Sequence, residues 1–185
     1  MSQGLKHSIR KAFGLRRDMS FGFYLADFWF RRILRQNSGV PWAMHHTSTI
    51  HSPVRLTVGK GVFPGDSPGV YINANNGIHI GDFTNLGPNV GIVSSNHDFI
   101  SNDTIVPAPP IHIGNFCWLG MGAVVLPGVR LGDFTIVGAG AIVTKSFEEG
   151  YCVIAGNPAR LIKPLNKADC DEQARAKYEA YAAGQ

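Results

Sequence analysis

The sequence predicts a mainly β fold in which short parallel strands wind into a coil, a parallel β-helix. From residue 113 to residue 143 an aliphatic residue returns at every sixth position, and a small or branched residue follows it four positions later. The leading aliphatic residues are Ile113, Leu119, Val125, Leu131, Val137 and Val143. A period of six fits neither the 3.6-residue repeat of a helix nor the alternation of a plain strand, so it indicates a strand and a turn repeated around a coil.

The six-residue period can be followed in both directions, with one interruption. Earlier hexads are led by Ile80, Leu86 and Ile92. Between His97 and Pro110 the period disappears, and this stretch contains three prolines, which are unfavourable in helices and in central strands. We therefore predict a loop over 98–110 that leaves the coil. Beyond residue 143 the pattern continues loosely through Val153 and Ala159.

The length of 185 residues fits one domain with two appendages. The predicted parts are a basic, aromatic helical extension over 1–48, the β-helix over 49–165 and a short, exposed C-terminal helix over 166–185. The three cysteines are an odd number, and Cys117 falls on an inward position, so we expect no disulfide framework and a cytoplasmic protein. No apolar run approaches about 20 residues, so we expect no membrane span.

Positive charge is concentrated at the N terminus. Residues 1–36 carry eight Lys and Arg against two Asp, a net charge of +6, whereas the remainder has a net charge of −2. Aromatic and aliphatic residues between Phe21 and Leu34 form the apolar side of a predicted helix. Two functions of this helix stay open. It could cap the end of the coil, which is favoured because solenoids in general need a cap. It could also make peripheral contact with the inner face of an anionic membrane. Nucleic-acid binding is not expected because no binding module is recognisable.

Several consecutive motifs resemble one known family. These runs are I-G-D-F-T-N-L-G-P-N-V, S-S-N-H-D-F, I-H-I-G-N-F-C-W-L-G, V-V-L-P-G-V-R-L-G-D, I-V-G-A-G-A-I-V-T-K and A-G-N-P-A-R-L-I-K. Over about residues 50–165 the chain resembles the hexapeptide-repeat O-acetyltransferases, which include maltose, galactoside and polysaccharide acetyltransferases. The resemblance implies a left-handed parallel β-helix and a homotrimer with active sites between neighbouring subunits. It also implies transfer of an acetyl group from acetyl-CoA to a saccharide hydroxyl.

The candidate catalytic residue is His97. Acetyl transfer from a thioester needs a base for the hydroxyl proton, and an imidazole with a pKa near about 6.5 suits this task at neutral pH. His97 stands where the regular coil ends, and S-S-N-H-D matches the catalytic histidine motif of the family. Asp98 could orient the loop or the imidazole, or it could be a plain loop carboxylate. We place no cysteine as a nucleophile, so the expected transfer is direct.

The resemblance also implies a groove for the CoA carrier. The matching positions are Gly120, Met121, Ala139, Thr144, Lys145, Arg160 and Lys163. The three cations suit phosphate groups, although exposed cations at coil corners often have no specific partner. Met121 stands where relatives often have serine or asparagine, so only its backbone N–H would serve there. Trp118 could line the pantetheine path or pack against a neighbouring subunit, and Asn75 could contact the acceptor or only shape a corner.

A second function of a different class depends on three histidines. His79 and His97 are three hexads apart, so a three-sided coil would place them at the same corner of adjacent turns, and His112 has the same phase after the loop. Such a group could hold zinc, as in the gamma-class carbonic anhydrases that use this fold. The close histidine pair of that family is missing, so the transferase is favoured and no metal is expected.

Overall fold

The computed structural model describes residues 15, 16 and 18–184, and it is mainly β. Helix α1 spans Phe21–Asp27 and continues as a π-helical stretch over Phe28–Ile33, a 3₁₀ turn spans Pro53–Arg55, and α2 spans Lys167–Ala183. The strands are β1 Thr49–His51, β2 Leu56–Val58, β3 Tyr71–Asn73, β4 Ile78–Ile80, β5 Asn85–Leu86, β6 Gly91–Val93, β7 Asn96–His97, β8 Ile105–Val106, β9 Ile111–Ile113, β10 Trp118–Leu119, β11 Val124–Val125, β12 Arg130–Leu131, β13 Thr135–Val137, β14 Ile142–Val143, β15 Cys152–Ala155 and β16 Arg160–Pro164. Four of the eight N-terminal basic residues lie outside the described residues: Lys6, Arg10, Lys11 and Arg17.

The strands form three sheets that the chain visits in turn, so the coil has three sides. Face 1 contains β1, β3, β6, β11 and β14; face 2 contains β2, β4, β9 and β12; face 3 contains β5, β10, β13 and β15. All of these pairings are parallel, and β16 closes face 3 as an antiparallel partner of β15. The predicted mainly β fold with parallel sheets is confirmed.

The core is a stack of the leading aliphatic residues. Val125 lies beside Ile92 on one side and Val143 on the other, and all three side chains are fully buried. Leu119 has the same relation to Leu86 and Val137 on face 3. Because neighbouring strands are about 4.8 Å apart, each inward side chain packs against its equivalents in the turns before and after. The hexad pattern therefore corresponds to columns of stacked side chains.

The predicted pattern fails at Val153, because the last turn is one residue shorter than the regular turn of 18 residues. Trp118 pairs with Ile136, 18 residues later, but Thr135 pairs with Cys152, 17 residues later. The shift buries Cys152 and Ile154 and turns Val153 outward, whereas Ala159 is buried as predicted.

Helix α2 lies within the C-terminal segment that the sequence predicts to be helical, and two of its tyrosines anchor it to the coil. It contains 17 residues, and Asn166 caps its N terminus, because the Asn166 side chain accepts a hydrogen bond from the Ala168 N–H (3.0 Å). The rings of Tyr178 and Tyr181 pack edge-on against Phe83, with centroids 5.1 and 5.4 Å away. Burial and a hydrogen bond to a carboxylate raise the pKa of Tyr178 to about 12.

The surface under α2 is a ladder of aromatic rings at one edge of the coil. Its members are Phe83, Phe116, Phe134 and Tyr151, with consecutive centroids 5.3, 4.8 and 5.5 Å apart. All four have a positive φ, between 47° and 55°, which is uncommon for bulky residues. Each turn of the coil contributes one ring, and each ring packs against the ring of the next turn. The positive φ at these positions is therefore associated with packing of the rings.

Helix α1 and the π-helical stretch lie ahead of β1 and, together with the segment that follows them, make up the predicted N-terminal cap. Ser20 caps α1 by accepting the Phe23 N–H (3.1 Å), and the following segment adds Val40 and Met44 to the hydrophobic core. Among the described residues of the helical segment only Asp27 is buried, so the capping function that the sequence favours stays a prediction. No helix within residues 18–184 is long and apolar enough to cross a membrane.

We expect Val125→Ala to lower the free energy of unfolding by about 2 kcal/mol, because it removes two methyl groups from a fully packed column. Val54→Ala is the matched control, since Val54 is 93% exposed and Val125 is 0% exposed. Chemical denaturation of both variants measures the difference. Equal losses in the two variants would contradict the stacked core.

Candidate active site

His97 lies on a short hairpin that leaves the coil between faces 1 and 2. The chain departs after β6, and β7 pairs antiparallel with β8, so that His97 stands opposite Ile105. The chain returns at Ile111, which takes its place beside Ile78 on face 2. The segment predicted as a loop thus contains part of a hairpin. The His97 side chain is exposed to solvent rather than buried in the core.

The base of this hairpin is held by Asn76, which is not among the candidate site residues named from the sequence. The Asn76 N–H donates to Ser94 Oγ (2.9 Å), and its Nδ2 donates to the carbonyls of Ser94 (2.9 Å) and Val106 (3.3 Å). Ser94 is fully buried. A buried hydroxyl needs a partner, and Asn76 lies 18 residues before Ser94, in the preceding turn of the coil. The serine at an inward position was the signal that could have identified Asn76.

Asp98 shapes the turn of the hairpin. Its Oδ1 accepts hydrogen bonds from the N–H groups of Ile100 (2.8 Å) and Ser101 (2.9 Å), and these bonds lower the pKa of the Asp98 carboxyl. The Asp98 N–H donates to the Thr104 carbonyl (2.8 Å). Among the described hydrogen bonds none joins Asp98 to the His97 ring, so the geometry favours loop shaping over imidazole orientation.

Trp118 and Lys163 lie in one outward column on face 3. Trp118 is 56% exposed and lies in register with Ile136 on the next strand. Ile136 is in register with Val153, and Val153 is in register with Lys163 on the last strand. Three strand spacings separate Trp118 from Lys163, about 14 Å. Arg160 lies at the start of the same last strand. Face 3 therefore carries an aromatic side chain near its middle and cations at its C-terminal end.

Gly120, Met121 and Ala139 lie together where the chain passes from face 3 to face 1. The Gly140 N–H donates to the Met121 carbonyl (2.8 Å), which fixes the two turns on each other. A Cβ atom on Gly120 would lie 2.7 Å from the Ala139 nitrogen, so the close approach of the turns requires glycine there. Met121 is 59% exposed and borders the column on face 3.

Thr144 and Lys145 lie at the opposite end of the face 1 strands. They follow β14, and the hairpin that carries His97 follows β6 at the same edge of face 1. Met121 precedes β11, so it lies where the face 1 strands begin. The two ends of the face 1 strands are five extended residues apart, a distance of about 16 Å. Within one chain the structure therefore places His97 near the Thr144 edge and does not bring it to Met121.

The candidate CoA cations have no carboxylate partner. Lys145, Arg160 and Lys163 are exposed, and within residues 18–184 none of them forms an ion pair. The Lys145 ammonium lies 5.6 Å from the centre of the Phe147 ring, and Arg160 donates to the carbonyl of Ala159. These cations are available to an anionic ligand.

Asn75 is engaged at a corner. Its Oδ1 accepts a hydrogen bond from Ser52 Oγ (2.7 Å), and its carbonyl accepts one from the Arg55 side chain. These contacts support the corner role that the sequence left open beside acceptor binding.

The described cysteines are poor nucleophiles. Cys117 is buried, and desolvation raises its pKa to about 12, so the thiol stays protonated at neutral pH. Burial also raises the pKa of Cys152 and of Cys170.

The structure does not gather the three histidines of the zinc hypothesis. His79 and His112 are paired in register on face 2, with ring centroids 4.6 Å apart, but His97 lies on the hairpin. The chain leaves the coil just before His97 would reach face 2, and His112 takes that position when the chain returns. Arg130 is in register with His112, and burial, Arg130 and His79 lower the His112 pKa. Across the described part of the chain no group of three or more His, Cys, Asp or Glu could hold a metal ion.

Comparison with known proteins agrees with the repeat pattern. Residues 110–145 match the family of bacterial transferase hexapeptides, in six repeats. No curated protein matches the chain. The predicted resemblance to the hexapeptide-repeat acetyltransferases is confirmed by this match together with the solved structures described next.

One similar solved structure is a maltose O-acetyltransferase from Clostridium difficile 630, with 30% identity, a TM-score of 0.57 and coverage of 65% of this chain. This chain spans 64% of the length of that protein. A galactoside acetyltransferase in complex with coenzyme A has 24% identity, a TM-score of 0.63 and coverage of 88% and 92% of the two chains. AntD, an N-acyltransferase from Bacillus cereus in complex with dTDP and 3-hydroxybutyryl-CoA, has 17% identity, a TM-score of 0.62 and coverage of 75% and 88%. The last two share the fold of this chain.

We expect Asn76→Ala to loosen the base of the hairpin, because the carbonyls of Ser94 and Val106 lose a shared donor. Hydrogen exchange of the Asp98 amide, which is bonded across the hairpin to Thr104, should become faster by about tenfold for a loss of about 1.4 kcal/mol. Asn102→Ala at the exposed end of the hairpin is the control. Unchanged exchange in Asn76→Ala would show that the hairpin does not depend on this side chain.

Proposed function

We propose that this chain, which carries the hexapeptide repeats of bacterial transferases, is an acetyl-CoA-dependent O-acetyltransferase that acts on a saccharide hydroxyl. The observation that carries the proposal is the exposed imidazole of His97 on a braced hairpin that interrupts the repeats. The hairpin holds the ring at the edge of the coil in contact with solvent. An acceptor can therefore reach it, as a general base requires.

In the proposed reaction His97 accepts the proton of the acceptor hydroxyl. The acceptor oxygen attacks the thioester carbonyl, and a tetrahedral oxyanion forms. A backbone N–H near Met121 is the proposed donor to this oxyanion. Collapse of the intermediate breaks the C–S bond, and the protonated His97 returns its proton to the departing CoA thiolate. The products are the acetyl ester and CoA, and no acyl-enzyme is needed, in keeping with the protonated Cys117.

The proposed assembly is a homotrimer of left-handed coils. His97 and Met121 lie at opposite edges of face 1 in one chain, so a site that uses both needs a second chain. A neighbouring subunit that presents its Met121 corner to the His97 edge supplies the missing half. This arrangement would account for the exposure of His97 in the single chain.

The carrier is proposed to lie along face 3. Trp118 and the exposed apolar residues Leu161 and Ile162 provide a surface for the pantetheine arm, and Arg160 and Lys163 at the end of this face provide charge for the phosphates. Ala139 lies at the bordering corner, and Thr144 and Lys145 contribute from the far edge of face 1.

The acceptor is proposed to be a sugar or a saccharide precursor of a polysaccharide. The support is the maltose O-acetyltransferase among the similar structures, which is 30% identical to this chain. The proposed compartment is the cytoplasm, where acetyl-CoA is available and the described cysteines, all unpaired, would remain reduced.

We expect His97→Ala to lower kcat/KM for acetyl transfer by about 10²- to 10⁴-fold, because the general base is lost. The measurement is release of the CoA thiol in the presence of a panel of mono- and disaccharides. His112→Asn is the control, and it should keep most of the activity. The zinc hypothesis makes the opposite prediction for His112, together with stoichiometric zinc in the purified protein. Near-normal turnover of His97→Ala would remove this residue from the mechanism.

We expect the double variant Arg160→Ala, Lys163→Ala to raise KM for acetyl-CoA by about tenfold or more, because charge-assisted hydrogen bonds to phosphate are lost. The effect should largely disappear with acetyl-pantetheine, which carries no phosphate group. Lys60→Ala, which removes an exposed cation elsewhere, should behave like the parent protein with both donors. An equal loss with both donors would show that the two cations do not bind phosphate.

A further inference from the structure

The N-terminal cap leaves one apolar stripe uncovered. Five large hydrophobic side chains of the helical segment are between 51% and 72% exposed: Leu25, Phe28, Trp29, Ile33 and Leu34. Their spacing of three to four residues, with Ile33 and Leu34 completing the last turn, places them on one side of the helix.

A buried ionic contact fixes which side of the helix faces outward. Asp27, 6% exposed, accepts hydrogen bonds from Arg31 Nε (2.8 Å) and from the Met44 N–H (2.9 Å), and Arg31 also donates to the Val40 carbonyl (2.6 Å). The Phe30 ring stacks on His46 with centroids 4.7 Å apart. Because these contacts hold the inner side on the segment before β1, the helix cannot rotate to bury the stripe without breaking them.

The surroundings of the stripe are positively charged. Arg32 and Arg35 are exposed beside it, and Asp27 is the only acidic residue between positions 19 and 65. Its carboxylate is buried and paired with Arg31, so it does not offset the outer arginines. The sequence before the helix adds further Lys and Arg. The stripe is therefore an apolar surface bordered by cations.

We propose that this stripe docks on a bilayer surface that contains anionic lipids. Trp, Phe and Leu side chains insert at the boundary between headgroups and acyl chains, while arginines contact lipid phosphates. A second copy of the chain is a poorer occupant, because pairing the stripe with itself would bring Arg32 and Arg35 of both chains together. The docking surface is independent of His97 and of acetyl transfer, so it can be tested without an acceptor.

The test is flotation of the full-length protein with vesicles of phosphatidylcholine containing 30 mol% phosphatidylglycerol, with pure phosphatidylcholine vesicles for comparison. The parent protein should float with the anionic vesicles and much less with the neutral ones. Arg32→Ala with Arg35→Ala should weaken anionic binding by about thirtyfold, because each basic residue near the surface contributes about a factor of five. High salt should weaken it as well.

The apolar contribution has its own variant and its own control. Leu25→Gln with Trp29→Gln and Leu34→Gln should abolish flotation. Phe99→Gln with Ile100→Gln, which removes a fully exposed apolar pair from the hairpin, should leave flotation unchanged. The milder Trp29→Phe keeps the fold and binding, and it should lose the blue shift of tryptophan emission that the parent protein shows on anionic vesicles.

Three results would overturn the proposal. The parent protein could fail to float with anionic vesicles, or the Leu25, Trp29 and Leu34 variant could float as well as the parent while remaining folded by circular dichroism. The third concerns self-association: light scattering without vesicles could show that the parent protein assembles as its concentration rises and that this variant does not. A second copy of the chain would then be the occupant of the stripe.

Discussion

The fold depends on the in-register stacking of each turn of the coil on the turn before it. Inward side chains such as Val125 lie in register with their equivalents in adjacent turns, so every column must keep its register for the core to remain filled. The corners are equally constrained. A Cβ atom on Gly114 would lie 2.6 Å from the Asp133 nitrogen, and one on Gly120 would lie 2.7 Å from the Ala139 nitrogen. Extra residues therefore have no room inside the coil and can leave it only outward, at an edge.

This constraint explains where the candidate base lies. The hairpin departs after β6 and returns at β9 with the register restored, so that His112 pairs with His79 as if nothing had been inserted. The excursion cannot use the core for support, because the core is complete without it. Its support comes from hydrogen bonds at its base, where Asn76 joins the carbonyls of Ser94 and Val106, and from Asp98 within its turn. A base that is both exposed and positioned follows from this combination.

The sequence predicts the coil, its inward residues and the interruption that bears His97, because all three are local properties of a six-residue period. It does not predict where the chain lies after the period is lost. Counting three hexads from His79 to His97 assumes an unbroken coil, and the hairpin invalidates that assumption. The sequence pattern also does not predict that the turn before Cys152 is one residue short, since Val153 is as apolar as the residues on either side of it. The anchoring of α2 depends on Tyr178 and Tyr181 meeting Phe83, a contact between distant parts of the chain that spacing cannot reveal.

The two charged ends of the coil can serve different anions. Arg32 and Arg35 belong to the cap that precedes β1, the first strand of face 1. Lys145 follows β14, the last strand of face 1. Strands β1 and β14 are four strand spacings apart, about 19 Å. This distance exceeds the Debye length of about 8 Å at physiological salt. The cations at one end are thus largely screened from an anion at the other. Phosphates of a carrier on face 3 and phosphates of a lipid surface at the cap would not compete for the same side chains. His97 follows β6, the third of the five strands of face 1. His97 therefore lies about midway along face 1 between the two charged ends of the coil.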